Sequence, residues 1–186
     1  LLLGGDYSAL DAVDYGRALR EGLEGFRART KDALAALKLY RVEDLKKSYF
    51  YRAILITLDA VEAYALRLAD LAERKAEKAS PERAAELNEM ARICRKVPMQ
   101  PAETFHEAVQ SVWMLHVILQ IESNGHSLSY GRFDQYMLPY YEKSLADGMT
   151  AARAEELLEN LWLRTFTVNK IRSWSHTRFS AGSPLY

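Results

Sequence analysis

The sequence predicts a mainly helical fold, and two observations support this prediction. Apolar residues recur every three or four positions along most of the chain, which is the period of a helix with one buried face. Two segments also carry N-terminal capping patterns, Ser80 before Pro81 and Thr104 three residues before Glu107. Together these features predict several helices joined by short polar connections.

The first predicted helix runs from Asp14 to about Leu39. Its apolar spacing is helical, although Gly16, Gly22 and Gly25 each disfavour a helix by up to about 1 kcal/mol relative to alanine. Three glycines in one helix suggest that it packs closely against a neighbouring segment.

The second predicted helix runs from about Val42 to Ala79, either unbroken or with a break near Ser48 or Thr57. Its repeated apolar residues are Phe50, Ile54, Leu58, Val61, Ala65 and Leu68. An unbroken helix would be on the order of 57 Å long at about 1.5 Å per residue. A compact domain of 186 residues is only about 40 Å across. An unbroken helix therefore predicts packing against further protein.

Prolines and capping residues delimit the next two predicted helices. One runs from Ser80 to Val97 and is stopped by Pro98 and Pro101. The other runs from Thr104 to Ile121 and contains the most apolar run of the chain, VWMLHVILQI. Because this run is too short to cross a bilayer, we interpret it as part of a core helix.

A polar loop follows this core helix. The segment from Ile121 to Leu138, IESNGHSLSYGRFDQYML, places an Asn-Gly-His-Ser turn directly after the apolar run. A helix is then predicted from about Arg132 to Ala146, with Pro139 expected to kink or split it. A last helix is predicted from its cap at Thr150 to about Ser173, and residues 174–186 are predicted as loop or strand.

The composition is typical of a globular protein and disfavours several classes of partner. Of the 186 residues, 49% are hydrophobic and 27% are charged. Basic and acidic residues number 25 each, so we expect neither nucleic acid nor a membrane surface as a partner. The single cysteine, Cys94, excludes an intramolecular disulfide, and no targeting segment opens the sequence. We therefore expect a cytoplasmic location.

The polar loop is the best candidate for a binding site, because it groups several hydrogen-bonding residues at the end of a buried helix. His126 and Ser127 follow Gly125, which lets the backbone turn tightly. Such a pair could hold a small hydroxylated substrate. From spacing alone, however, an ordinary helix connector built on the Asn-Gly turn is the favoured interpretation.

Structural roles are favoured for most other polar residues. Asp134 would stabilise the positive end of a helix dipole, and Arg132 could reach a neighbouring carboxylate or backbone group. His106 and His116 lie on different faces of a helix without a ligand partner three or four residues away, so no metal site is expected. Basic neighbours could make Cys94 reactive, but a thiol that fills a packing gap is the favoured interpretation.

Two segments of the chain carry a resemblance to a known family. They are Pro101 to Tyr141, PAETFHEAVQSVWMLHVILQIESNGHSLSYGRFDQYMLPYY, and Val168 to Tyr186, VNKIRSWSHTRFSAGSPLY. Together they resemble the glycyl radical enzymes of the pyruvate formate-lyase family, and a weaker likeness extends back to about Asp14. The resemblance implies that residues 1–186 are a truncated, helical portion of a ten-stranded α/β barrel. It also implies that residues 174–186 begin a barrel segment.

The resemblance implies radical chemistry whose reactive residues are absent from this sequence. Family members are expected to have a thiyl radical cysteine inside the barrel and a glycyl radical near the C-terminus. A partner activating enzyme with an iron–sulfur cluster and S-adenosylmethionine installs the radical. Neither a Gly-Cys loop nor an Arg-Val-x-Gly-Tyr segment occurs here, so both are expected downstream of Tyr186. Cys94 is not expected to take the thiyl role, and the full-length enzyme is expected to be a homodimer.

The resemblance also suggests roles for individual residues. The Asn-Gly-His-Ser turn resembles that of glycerol and diol dehydratases, where the His and Ser positions contact substrate hydroxyls. This transfers a substrate-contact role to His126 and Ser127. Phe179 would correspond to an aromatic residue of the pocket wall, although Ser183 stands where the family has tyrosine before proline. The residues expected to support the loop are Asn124, Arg132 and Asp134.

The sequence therefore predicts a fragment of a glycyl radical lyase. The expected reaction is a dehydration of a small polyol or hydroxylated metabolite, and the chain alone is expected to be inactive. Two alternatives remain open at this point. One is formate C-acetyltransferase or decarboxylase chemistry within the same family, and the other is a non-catalytic helical interaction module.

Overall fold

The computed structural model describes residues 13–122 and 128–168, and most of these residues are helical. The helices are α1 (Tyr15–Ala35), α2 (Val42–Ala76), α3 (Pro81–Lys96), α4 (Phe105–Glu122), α5 (Phe133–Ala146) and α6 (Ala151–Thr165). No strand is found among the elements of these two ranges, so the mainly helical prediction is confirmed for them. The predicted barrel segment, 174–186, lies outside the described residues.

The chain divides into two compact units, and one boundary between them falls at the start of α1. One unit, here called the helix-pair unit, is Arg17–Ala102. The other consists of Leu1–Gly16 and Glu103–Tyr186, and it is called the loop unit because the predicted polar loop belongs to it.

A kink at Gly22 interrupts α1 in the helix-pair unit. Gly22 has φ 65° and ψ 169°, and a Cβ there would lie 2.4 Å from the carbonyl oxygen of Met99. The next two backbone N–H groups, of Leu23 and Glu24, donate to the carbonyls of Pro98 and Met99 at 2.9 Å. The predicted close packing is therefore confirmed at Gly22, where the chain approaches the segment that follows α3.

The second predicted helix is unbroken. Ser48 and Thr57 do not interrupt α2, because each hydroxyl donates within the helix, to the carbonyls of Leu45 at 2.7 Å and Ala53 at 3.0 Å. The alternative with a break is wrong. At about 1.5 Å per residue, the 35 residues of α2 span roughly 52 Å.

Only the C-terminal half of α2 buries an apolar face. The helix from Leu58 onward packs against α3, and its buried apolar residues are Leu58, Val61, Ala65, Ala69, Ala72 and Ala76. Arg95 on α3 binds Asp70 and Glu73 on α2, at 2.8 Å and 2.7 Å. The N-terminal half of α2 exposes Phe50, which is 61% accessible although it belongs to the predicted apolar repeat. Helical spacing identifies an apolar stripe but not whether a partner covers it.

In the loop unit, α4 is buried along most of its length, as expected for a core helix. Its start confirms one half of the predicted capping box, because the N–H of Glu107 donates to Thr104 Oγ1 at 3.2 Å. The Glu107 carboxylate instead accepts from the N–H of Glu103 at 2.9 Å. Ser144 on α5 accepts the N–H of Phe105 at 2.8 Å, which satisfies a donor that the helix start leaves free.

The last two helices differ from the prediction in one respect each. α5 continues through Pro139, because a proline removes a single backbone N–H and the neighbouring bonds maintain the helix. The predicted split is therefore wrong. α6 starts as predicted with the Thr150 cap, but it ends at Thr165 rather than near Ser173. At the end of α6, the hydroxyls of Thr165 and Thr167 each donate a hydrogen bond to the carbonyl three residues earlier, which competes with continuation of the helix.

The α3 cap is confirmed, since Ser80 Oγ accepts the N–H of Arg83. Within 13–122 and 128–168, no helix combines the length and the apolar character that a membrane span needs.

Candidate functional site

The residues predicted to contact substrate lie outside the described residues. These are His126, Ser127 and Phe179, together with the supporting Asn124. The structure does describe the chain on both sides of the predicted loop, up to Glu122 and again from Leu128. The candidate site is therefore characterised by the elements that flank it, the C-terminal half of α4 and the start of α5.

Arg132 and Asp134 bind each other at the start of α5. The guanidinium approaches the carboxylate with two nitrogens, at 3.3 Å and 3.2 Å, and both side chains are about 70% exposed. This contact lowers the pKa of Asp134 and raises that of Arg132. The pair stabilises the turn into α5 locally, and its support of the loop stays a prediction.

A buried chain of polar side chains lies near the C-terminal end of α4. Tyr15, whose side chain is fully buried, places its hydroxyl 3.0 Å from His116 Nδ1. On the other side of the imidazole, Gln120 Nε2 lies 3.1 Å from His116 Nε2. His116 and Gln120 are 5% and 7% exposed, so this chain connects the start of α1 with the last turns of α4 inside the protein.

The chemistry of these groups fixes the direction of the hydrogen bond between Gln120 and His116. The amide nitrogen of Gln120 can only donate, so His116 Nε2 accepts and is not protonated. The Tyr15 hydroxyl, which can donate or accept, completes the chain at Nδ1. With its NH₂ group donating to His116, Gln120 turns its Oε1 away as a hydrogen-bond acceptor.

An aromatic cluster surrounds His116. Its imidazole stacks on the ring of Tyr130, with centroids 4.4 Å apart and planes inclined by 26°. The cluster is completed by Tyr15, Phe133, Tyr136 and Trp162. Such tilted and edge-on ring contacts favour one arrangement of the rings over others. The cluster thus holds the segment after the loop against α4.

Backbone and hydroxyl contacts position Tyr130. Gly131 adopts φ 61°, a conformation that glycine tolerates, and its N–H donates to Ser129 Oγ at 2.9 Å. The hydroxyl of Tyr136 donates to the Tyr130 carbonyl at 2.9 Å. The Tyr130 ring is therefore held between α4 and α5 by its own main chain as well as by its ring contacts.

The three tyrosines of the cluster remain protonated. Burial is the main cause that raises the pKa values of Tyr15, Tyr130 and Tyr136, because removing a phenolate from water is unfavourable. These hydroxyls can donate and accept hydrogen bonds at neutral pH but do not serve as bases.

Two buried polar atoms of this cluster have no hydrogen-bond partner among the described residues. They are Gln120 Oε1 and Tyr130 Oη. A buried polar atom without a partner is destabilising by roughly 1–3 kcal/mol. Such atoms are uncommon in proteins.

Cys94 does not resemble a reactive thiol. It is buried in α3, and burial raises the pKa of its thiol to about 11. Its basic neighbour Arg95 is already bound to two carboxylates of α2, so it does not favour a thiolate. These contacts support the packing interpretation of Cys94. Within the described ranges no three His, Cys, Asp or Glu residues are grouped as metal ligands.

The buried contacts of Tyr15 and Gln120 with His116 were not predicted from the sequence. A signal was present, because His116 and Gln120 are the two polar residues of the run VWMLHVILQI and lie four residues apart on one helical face. Their partner Tyr15 lies 101 positions from His116, a distance that no local pattern bridges.

Comparison with known proteins identifies the family. The family model described as pyruvate formate lyase-like matches residues 11–186. The chain therefore belongs to the pyruvate formate lyase-like family.

Relatives of this family include several lyases. The chain is 43% identical to the probable dehydratase YbiW of Escherichia coli (strain K12) over 178 residues, which is 94% of this chain. It is 42% identical to the isethionate sulfite-lyase of Nitratidesulfovibrio vulgaris over 154 residues, or 81% of this chain. The glycerol-bound B12-independent glycerol dehydratase of Clostridium butyricum superimposes with a TM-score of 0.89 at 38% identity, over 97% of this chain.

The chain matches only part of each relative. It spans 22% of the Escherichia coli protein, 19% of the sulfite-lyase and 23% of the glycerol dehydratase chain. The observed helices therefore correspond to about a fifth of the relatives, and the barrel belongs to full-length members of the family.

Proposed function

We propose that this chain is part of a glycyl radical dehydratase that eliminates water from a small polyol or hydroxylated metabolite. The observation that carries the proposal is the match to two relatives named as dehydratases, at 43% and 38% identity, over nearly the whole chain. The Asn-Gly-His-Ser turn, which resembles that of glycerol and diol dehydratases, points in the same direction.

In this proposal the loop provides the substrate contacts. His126 and Ser127 hydrogen-bond to substrate hydroxyls, and Phe179 forms part of the pocket wall. Asn124 supports the turn, while the Arg132–Asp134 pair stabilises the chain where it enters α5. Holding a hydroxyl in a fixed direction by two side chains favours its departure, because it orients the bond that breaks.

The radical step would be supplied from outside this sequence. A radical cysteine of the full-length enzyme abstracts a hydrogen atom, and an activating enzyme with an iron–sulfur cluster and S-adenosylmethionine installs the glycyl radical on which it depends. Cys94 does not fit this role, because it is a buried helical thiol whose pKa is raised. We propose that the chain alone is inactive and that the full-length enzyme is a cytoplasmic homodimer.

A different lyase reaction of the same family is the second candidate. The 42% identity to an isethionate sulfite-lyase shows that a similar segment occurs in an enzyme with another substrate. Acetyltransferase and decarboxylase reactions remain further alternatives within the family. Family membership argues against a free-standing helical interaction module.

Substitution of Ser127 in the full-length activated enzyme tests the proposal. Ser127→Ala should weaken binding or turnover of a polyol such as glycerol by about 1–3 kcal/mol, through loss of a buried hydrogen bond. Ser129→Ala is a matched control, because Ser129 is an exposed serine in the same segment whose hydroxyl accepts a local backbone N–H. Steady-state kinetics with glycerol and isethionate distinguish the two candidates. Unchanged kinetics in Ser127→Ala would remove this residue from the pocket.

A further inference from the structure

One face of α2 is apolar and exposed within the helix-pair unit. Val42, Tyr49 and Ile56 are seven positions apart, which is close to two helical turns, so their side chains share this face. Their exposed fractions are 64%, 63% and 69%. The buried residues Leu58 and Ala65 are offset from this face by about 200° around the helix. The apolar face is therefore opposite the side of α2 that packs against α3.

Four charged residues line up along one edge of this face. In chain order they are Arg41, Arg52, Asp59 and Asp70. The gaps of 11, 7 and 11 positions are close to three, two and three helical turns, which places all four on one side of α2. Arg52 and Asp59 lie one turn before and after Ile56, so this side borders the apolar face.

The order of these charges is symmetrical. The two arginines precede the two aspartates, and the inner and outer pairs are both centred between positions 55 and 56. Opposite charges thus stand at equal distances from one point of the helix. A surface that meets its own copy across a two-fold axis must be complementary to itself, whereas a surface that meets a different segment needs no such symmetry. The charge order therefore favours a second copy of this chain as the occupant.

Both aspartates remain accessible to a further cation. Asp59 binds Arg27, but this guanidinium also binds two other carboxylates, and the Asp59 side chain is 73% exposed. Asp70 shares Arg95 with one other carboxylate and is 51% exposed. In each cluster the carboxylates outnumber the guanidinium groups, so an arginine from another chain would be attracted.

We propose that this face of α2 binds the same face of a second copy in antiparallel direction, with the two-fold axis beside Ile56. Arg52 then pairs with Asp59 of the partner subunit, and the outer charges pair in the same way. Tyr49 lies against Ala63 of the partner subunit, so a large side chain meets a small one. This inference deepens the homodimer of the proposed function and rests on that part of it alone.

The length of the contact sets its strength. From Arg41 to Asp70 the helix spans roughly 44 Å at about 1.5 Å per residue, and a helix with its side chains is about 10–12 Å wide. The contact would cover on the order of 500 Å² per partner, or about 1,000 Å² in total, which is near the lower limit for a specific interface. Single substitutions on the face should therefore have large effects on the dimer.

Cysteine cross-linking of the full-length protein tests the contact and its register. Ile56→Cys should form a disulfide between subunits under mild oxidation, because the two copies of residue 56 meet at the axis. Tyr49→Cys is the matched control and should not, because its two copies would lie about 20 Å apart along the helix. Co-expressed Tyr49→Cys and Ala63→Cys chains should cross-link to each other. The native Cys94 is buried and does not compete.

A charge exchange tests the pairing by sedimentation velocity. Arg52→Glu and Asp59→Lys each place like charges opposite each other twice across the axis, so each should raise the Kd of the dimer at least about tenfold. Combining the two changes re-forms both pairs and should bring the Kd back to within about threefold of the wild type. Lys47→Glu is the control, because it makes the same change of charge at an exposed position on the opposite side of α2.

Each part of the proposal has its own contrary result. If the full-length wild type is a monomer, the proposed homodimer fails together with this contact. If it is a dimer but Ile56→Cys does not cross-link, or cross-links no better than Tyr49→Cys, only the contact fails. A residue 56 thiol that is also protected from reagents would then show that the face is covered by other parts of the same polypeptide. The dehydratase reaction is tested separately by the kinetics of Ser127→Ala.

Discussion

Replacing Gly22 with alanine should destabilise the helix-pair unit strongly. Gly22 has φ 65° and ψ 169°, a region of backbone conformation that is almost restricted to glycine. An alanine Cβ would also lie 2.4 Å, 2.6 Å and 2.8 Å from backbone atoms of Met99, Gln100 and Pro101. Backbone atoms cannot rotate away as a flexible side chain can, so the segment after α3 would have to move.

The expected change in the free energy of unfolding of Gly22→Ala is the sum of three contributions. The unfavourable φ and ψ contribute about 1–3 kcal/mol. Displacing the segment weakens the hydrogen bonds from Leu23 and Glu24 to the carbonyls of Pro98 and Met99, at roughly 1 kcal/mol each. Alanine restricts the unfolded chain more than glycine does, which offsets about 0.4–1 kcal/mol. Gly22→Ala should therefore lower the free energy of unfolding by about 2–5 kcal/mol.

Urea denaturation followed by far-ultraviolet circular dichroism measures this effect, and two other glycines serve as controls. Gly148→Ala tests strain alone, because Gly148 has φ 101° but no atom lies within 4 Å of a Cβ placed there. Gly25→Ala tests neither strain nor a tertiary clash, since the nearest atom is Glu21 Cβ on the same helix at 3.1 Å. The expected loss of stability is largest for Gly22→Ala and about 1 kcal/mol or more for Gly148→Ala. Gly25→Ala should show no loss, because alanine favours a helix over glycine by up to about 1 kcal/mol.

A loss at Gly22→Ala within about 0.5 kcal/mol of that at Gly25→Ala would refute this reasoning. It would mean either that the backbone relaxes at no cost or that the kink in α1 is not formed. An equal loss of stability in Gly22→Ala and Gly148→Ala would instead show that the close approach of Gly22 to the segment after α3 does not contribute.

Two further predictions concern buried groups. Because burial raises the pKa of the Cys94 thiol to about 11, the thiolate forms only well above neutral pH. A thiol reagent at pH 8 should therefore react slowly with the folded chain and rapidly with the chain unfolded in guanidinium. Fast reaction with the folded chain would contradict the buried placement of Cys94. Ser144→Ala should lower the free energy of unfolding by about 1–3 kcal/mol, because it leaves the Phe105 N–H without its acceptor at 2.8 Å. Substitution of the exposed Ser129 with alanine is the control. Equal stabilities of the Ser144→Ala and Ser129→Ala variants would exclude this hydrogen bond.

The described part of the chain also carries an exposed apolar surface on α2. The N-terminal half of α2 exposes Tyr49, Phe50 and Ile56, at 61–69% of their accessible area. A surface of this kind is expected where a segment packs against further protein. It agrees with a chain that spans about a fifth of its relatives, and the packing partner stays a prediction.

Sequence reasoning predicted the candidate site only in part. The polar turn was identified from local residue types, and the family resemblance supplied the roles of His126 and Ser127, which the structure leaves untested. Arg132 was expected to reach a neighbouring carboxylate or backbone group at a helix start, and it binds Asp134 there. The buried partner of His116 was missed, because the contact between Tyr15 and His116 joins residues 101 positions apart.

The sequence by itself determined the helices and most of their ends. Caps such as Ser80 and Thr150 act on backbone groups within three residues, and apolar spacing reflects the helical period. Only the tertiary structure decided which apolar stripes are covered, why Gly22 has to be glycine, and which partners His116 has. The physical reason is range: capping and helix propensity depend on near neighbours, whereas burial and side-chain pairing depend on segments distant in sequence.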